Sequence, residues 1–114
     1  MKKLQPLIEK LAAKAMSTPS GWEDLEIKRI FASDLISDIL VADGENILLL
    51  TSLLSDQVLR AAEVIGASAV VLVNRSHIPA ALGKAAAKQK LPLFHTSLPK
   101  FESCVRLGGL METL

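Results

Sequence analysis

The chain has 114 residues, half of them apolar, and carries 13 Lys or Arg against 12 Asp or Glu for a net charge of +1. That length bounds it to one domain with a hydrophobic core of its own, and the near-neutral balance removes the field that nucleic acid or an anionic membrane would answer to. The lone cysteine, Cys104, excludes an intramolecular disulfide and fits a reducing, cytoplasmic setting, and the longest apolar stretch, Ile47 to Leu54, falls well short of the ~20 residues of a membrane span.

From the amino terminus, Lys2, Lys3, Lys10 and Lys14 alternate with Leu4, Leu7, Ile8 and Leu11 at helical spacing. This predicts an amphipathic helix with a basic face, set apart with its linker over residues 1–20 from the domain proper at 21–114, and docking onto that domain or a partner. Glu9, Lys10 and Lys14 break any apolar run, so the segment does not read as a secretory signal. Ser17 to Gly21 collects turn formers. Leu25, Ile27, Ile30 and Phe31 then fit a first, edge-like strand, because charges at Glu26, Lys28 and Arg29 leave one side wet. Ser33 or Asp34 is placed to cap a short helical turn through Leu40, and Asp43-Gly44 marks the turn after it.

Three apolar runs follow: Ile47 to Leu50, Ala69 to Val73, and Leu91 to Phe94. Each is too short for a buried helix and lacks strict alternation, which predicts parallel strands covered on both faces. Between them, Ser55 and Gly66 bracket a helix carrying Val58, Leu59, Ala62 and Ile65 on one side. Pro79 suits the first turn of a helix rich in small residues, Ala80 to Ala87, that permits close packing on the sheet or a neighbour. A last helix starts near Ser97 and Pro99 with Phe101, Cys104 and Val105 as its apolar stripe, and ends at Gly108-Gly109. The tail from Leu110 onward is free to fray or to swap onto a partner. The sum is a three-layer α/β/α sandwich with a mainly parallel sheet. Half-apolar composition is met either by that doubly covered sheet or by a second copy on an apolar face.

In open sheets of this kind ligands gather beyond the carboxyl ends of the strands. Thr51, Ser52, Asn74, Arg75, His95, Thr96 and Ser97 all fall there, beside the positive ends of three helices, which suits a phosphate or carboxylate. Plain capping by Ser55 and Ser97 and a solvated Arg75 account for the same residues without a ligand. No phosphate loop and no dinucleotide fingerprint occurs. Asp34 and Asp38 read as caps and ordinary surface acids rather than an acid/base pair. His77 and His95 lack the further ligands a metal requires, and Cys104 sits on a packing stripe, so no catalytic residue, metal or cofactor is expected.

With these segments in view the chain resembles the DRTGG-domain family, in particular its small stand-alone bacterial members. The resemblance is carried by Ala32-Ser33-Asp34-Leu35-Ile36-Ser37-Asp38-Ile39-Leu40, by Leu48 to Val73 with Thr51, Gln57-Val58 and Ala61-Ala62-Glu63, and by Leu91-Pro92-Leu93-Phe94-His95-Thr96 with Phe101-Glu102 and Cys104. The literal Asp-Arg-Thr-Gly-Gly string is absent, and Ser52 and His95 stand where relatives more often have glycine and a small hydroxyl residue. The resemblance implies a fold similar to the amino-terminal domains of HPr kinase and Mur ligases. It also implies a regulatory or dimerising role like that of relatives joined to CBS pairs in pyrophosphatases. The expected function is a non-catalytic, homodimeric regulatory module with a small anionic metabolite or nucleotide at the strand ends. The alternative is an interaction or assembly module without a ligand, whose protein partner belongs to an iron hydrogenase or sensor-kinase system.

Overall fold

The computed structural model describes residues 1–111. In chain order its elements are β1 (Lys2–Lys3), α1 (Leu4–Lys10), β2 (Lys14–Ser17), a 3-10 turn (Trp22–Asp24), β3 (Glu26–Ile27), β4 (Arg29–Ala32), α2 (Ile36–Leu40), β5 (Ile47–Thr51), α3 (Asp56–Ile65), β6 (Ala69–Leu72), α4 (Ala80–Lys88), β7 (Leu93–His95) and α5 (Lys100–Met111). The main sheet has the order β2-β7-β6-β5-β4, with β4 to β7 parallel and β2 antiparallel against β7.

Because β4, β5, β6 and β7 lie side by side in sequence order, right-handed crossovers put α2, α3 and α4 on one face. Side-chain alternation divides the strands accordingly. Leu49, Val70, Leu72 and Leu93 bury against Ile39, Val58, Leu59, Ala62, Leu82 and Ala86 of those three helices. Leu48, Leu50, Ala69, Val71 and Phe94 face the other way and need a second cover. That cover is α1 and α5, whose Leu4, Leu7, Ile8, Leu11, Leu107 and Met111 complete the opposite core. The result is the three-layer α/β/α sandwich.

Helix α1 is thus a layer of the core rather than a detached arm: Leu4, Leu7 and Leu11 are fully buried. The expected boundary at residue 20 meets a segment whose helix fills one face of the sheet and whose next stretch, β2, extends it. Lys14 belongs to β2, paired with His95, instead of continuing the helical stripe. Helix α1 closes at Leu11 and the chain turns through Ala12 in the left-handed region (φ 50), with Ala12 and Ala13 amides donating to the Glu9 and Ile8 carbonyls in a Schellman motif. The small residues of α4 have a use here, since a Cβ on Gly83 would come within 3.3 Å of the Met16 carbonyl of β2.

Four further expectations are corrected. The first strand is split at Lys28: β3 pairs with β1 in a separate antiparallel ribbon, while β4 joins β5. Helix α2 starts only at Ile36 and has no side-chain cap. Pro79 precedes α4 instead of entering its first turn. Helix α5 runs through Gly108-Gly109, and its buried side is Ser103, Leu107 and Met111 with Cys104 half-buried, whereas Phe101 and Val105 are 78% and 58% exposed. Burial of Leu107 and Met111 one turn apart outweighs the roughly 1 kcal/mol each glycine costs a helix. Of the tail beyond Leu110, residues 112–114 lie outside the described residues.

Candidate functional site

Parallel register brings the seven predicted site residues to one edge of the sheet. Thr51 ends β5 beside Leu72, and Leu72 pairs with His95 at the end of β7. The loops beyond are stitched together by backbone hydrogen bonds. The Val73 amide donates to the Thr51 carbonyl, Asn74 to Leu98 at 2.7 Å, and Arg75 to Thr96 at 3.0 Å. Asn74 holds a left-handed turn (φ 58), a conformation asparagine tolerates, which turns the chain toward Arg75. The Arg75 Nε then donates to the Ser52 carbonyl at 2.9 Å, so the guanidinium is anchored at one nitrogen across two loops.

One half of this rim is organised by a residue that capping accounts for poorly. The Asp34 Oδ1 accepts from the Thr51 hydroxyl at 3.1 Å and the Ser52 amide at 2.6 Å, and Oδ2 accepts from the Ser52 hydroxyl at 2.7 Å and from Lys100 Nζ. Partial burial alone would push this carboxyl up, but the Lys100 ammonium and the Ser52 and Thr51 donors together hold it well below the ordinary carboxylate range. The Ser33 hydroxyl, not Asp34, accepts the local amide, that of Leu35. Asp34 therefore ties the approach to α2, the end of β5 and the start of α5 to one another. It escaped the sequence because its partners lie 17 to 66 residues away.

Three of the four predicted hydroxyls are engaged internally. Thr51 and Ser52 donate to Asp34, and the buried Thr96 donates to the Leu11 carbonyl at 3.0 Å while accepting from the Leu98 amide. Ser97 is exposed.

The other half of the rim is a cleft of about 110 Å³ where β2 meets the end of β7. Arg75 and Ser76 enter from the loop after β6, His95, Thr96 and Ser97 from the end of β7, and Ala12 and Lys14 from the turn into β2. No carboxylate is among these lining residues. The His95 Nδ1 lies 3.2 Å from the Arg75 carbonyl oxygen, an acceptor only, so this hydrogen bond puts the ring proton on Nδ1 and leaves Nε2 as the other nitrogen. Lys14 was missed as a rim residue because its helical spacing from Lys10 hid the strand.

A larger, more apolar cleft of about 590 Å³ lies at the opposite edge, between the end of β2 and Ala87 of α4 with Lys90 just beyond it. Among the described residues no three His, Cys, Asp or Glu side chains gather as metal ligands, and no helix is long and apolar enough to cross a membrane. Burial pushes the Cys104 thiol up, against the opposing pull of Lys100.

No family model matches the chain, and no curated protein does either. Among solved structures it is similar to the CBS and DRTGG domains of the regulatory region of Clostridium perfringens pyrophosphatase, crystallised with its activator diadenosine tetraphosphate. The TM-score is 0.75 at 11% identity, over 92% of this chain and 45% of that one, so the chain spans less than half the length of that structure. At that identity the likeness is one of fold: a DRTGG-like mixed α/β architecture with a mostly parallel five-stranded sheet flanked by helices.

Proposed function

We propose that the protein is a non-catalytic regulatory module that binds a small anionic metabolite or nucleotide at the carboxyl ends of its parallel strands and works as a homodimer. The observation that carries the reading is the cleft beside Arg75. One guanidinium nitrogen is anchored to Ser52, His95 and Lys14 stand at the same opening, and no acidic side chain lines it. Supporting it, the structural neighbour is a regulatory region solved with a nucleotide activator. Asp34 acts as a positioning residue, since it holds Ser52, whose carbonyl in turn holds Arg75.

Thermal-shift measurements with inorganic phosphate, nucleotides and diadenosine tetraphosphate test this directly. A saturable stabilisation that Arg75→Gln removes is the expected result; no shift with any anion at millimolar concentration refutes the ligand. The assembly reading is favoured by a different observation, the exposed Phe101 and Val105 on α5. Light scattering at tens of micromolar separates the two in part, with Phe101→Ser expected to leave anion binding intact and to dissociate any dimer that uses this face.

A further inference from the structure

Resting on the reading of the rim as an anion site, we propose that the cleft takes a single tetrahedral oxyanion, either free orthophosphate or the phosphate of a phosphomonoester. It would sit between Lys14 and Arg75, with the rest of any ligand outside in solvent. Size is the first argument. Sites that enclose a drug-sized molecule measure roughly 300–1,000 Å³. At about 110 Å³ this cleft lies well below that range, which suits a small oxyanion rather than an enclosed ribose or base.

Charge is the second. Two basic residues line one small cleft without a carboxylate, while the ion pair of the rim, Asp34 with Lys100, lies in its other half. Among the described residues no carboxylate stands within ion-pair distance of Lys14 or Arg75. Two like charges lining one small opening disfavour each other and favour an anion that bridges them. Lys14 reaches the cleft from β2, outside the repeated strand-helix units, because β2 runs antiparallel and so begins where β7 ends.

The experiment is a two-dimensional amide NMR titration of the full chain at low ionic strength with inorganic phosphate, AMP and diadenosine tetraphosphate. Saturable shifts at Lys14, Arg75, Ser76 and Ser97 are expected with phosphate at an affinity on the order of 1 mM. AMP should move the same amides with an affinity within about threefold of phosphate's, since its nucleoside lies outside; a ratio near one with identical shift vectors marks the shared group as the ligand. The Lys14 side chain is exposed and makes no hydrogen bond or ion pair among the described residues, and Gln keeps the β2 backbone pairing, so Lys14→Gln should keep the fold and weaken phosphate about fivefold. A nucleotide binding more than about a hundredfold tighter than phosphate overturns the single-oxyanion inference while leaving an anion site at the rim. Unchanged phosphate affinity in Lys14→Gln overturns it too. Absence of shifts with all three probes removes both this inference and the rim as an anion site.

Discussion

The two halves of the strand-end rim are built from the same kinds of residue and solve opposite problems. Around Asp34, a lysine, two hydroxyls and a backbone amide converge on one carboxylate, and every polar group has a partner. The Lys14–Arg75 cleft is lined by two basic residues and no carboxylate. A rim polar group whose partners are all within the chain contributes to stability, whereas one left without them is available to something outside it. Mutational effects on stability should therefore be large on the Asp34 side and close to zero, or reversed in sign, on the cleft side.

Asp34→Ala should give the largest loss. Four hydrogen bonds to a charged acceptor would be worth several kcal/mol in a buried site, but the Asp34 side chain is 39% exposed, and solvent screening reduces the expected cost to about 2 kcal/mol. Urea denaturation of both proteins measures it. The pH dependence has a definite sign. The folded carboxyl lies below its ordinary value of 3.8, so its contribution is fully present above about pH 4 and is lost as the pH falls through the folded value. The stability difference between the parent and Asp34→Ala should be constant from pH 7 to about 5 and shrink with further acid. A difference that does not shrink would mean that packing, not the charge, is what Asp34 supplies.

Thr51→Val comes next, at roughly 1 kcal/mol, because it removes one donor to that carboxylate in a fully buried site while keeping the volume. A double-mutant cycle with Asp34→Ala isolates the pair, and coupling under about 0.5 kcal/mol would deny that the two act together.

Which parts of this were legible follows from how far each signal travels along the chain. The strands β5, β6 and β7 were plain because residues buried on both faces form unbroken apolar runs, and α3 was plain because Ser55 accepts its Gln57 amide and Gly66 turns left-handed after it. Two other helices end in the same Schellman geometry on residues that give no warning, α1 on Ala12 and α4 on Lys90 (φ 57). Without a glycine at residue 12, the basic stripe ran on to Lys14 and β2 was invisible. Helix α5 was assigned the wrong face because its buried side includes Ser103 and excludes Phe101, a choice made by packing against α1. At the rim, Arg75, His95 and Ser97 came from strand ends and were found, whereas Asp34, Lys100 and Lys14 belong there only through contacts distant in sequence.

At Ala12 a gain rather than a loss is expected. Ala12 pays the steric cost of the left-handed region, about 1–2 kcal/mol, which a glycine avoids, offset by the greater freedom glycine has in the unfolded chain. Ala12→Gly should stabilise the protein by about 0.5 kcal/mol, read as a higher urea midpoint at unchanged slope. A loss instead would show that the turn into β2 is held by the Ala12 methyl rather than strained by it.

The smallest effect is expected at Lys14, and its sign matters more than its size. The side chain is exposed on an edge strand and shares a cleft with Arg75, so in low salt it adds repulsion and no ion pair. Lys14→Gln should be neutral to slightly stabilising, by no more than about 0.3 kcal/mol at low ionic strength. Inert salt should erase that difference, because screening does to the parent what the substitution does chemically. Sulfate should do more than an inert salt at equal ionic strength: by bridging the cations it should stabilise the parent over Lys14→Gln and reverse their order. Lys100→Gln, on the satisfied half, should lose stability in all three solvents, since its ammonium leaves Asp34 short of a donor. If Lys14 and Lys100 behaved alike, the contrast between a closed and an open half of the rim would have no energetic meaning, and the cleft would be an ordinary surface dent.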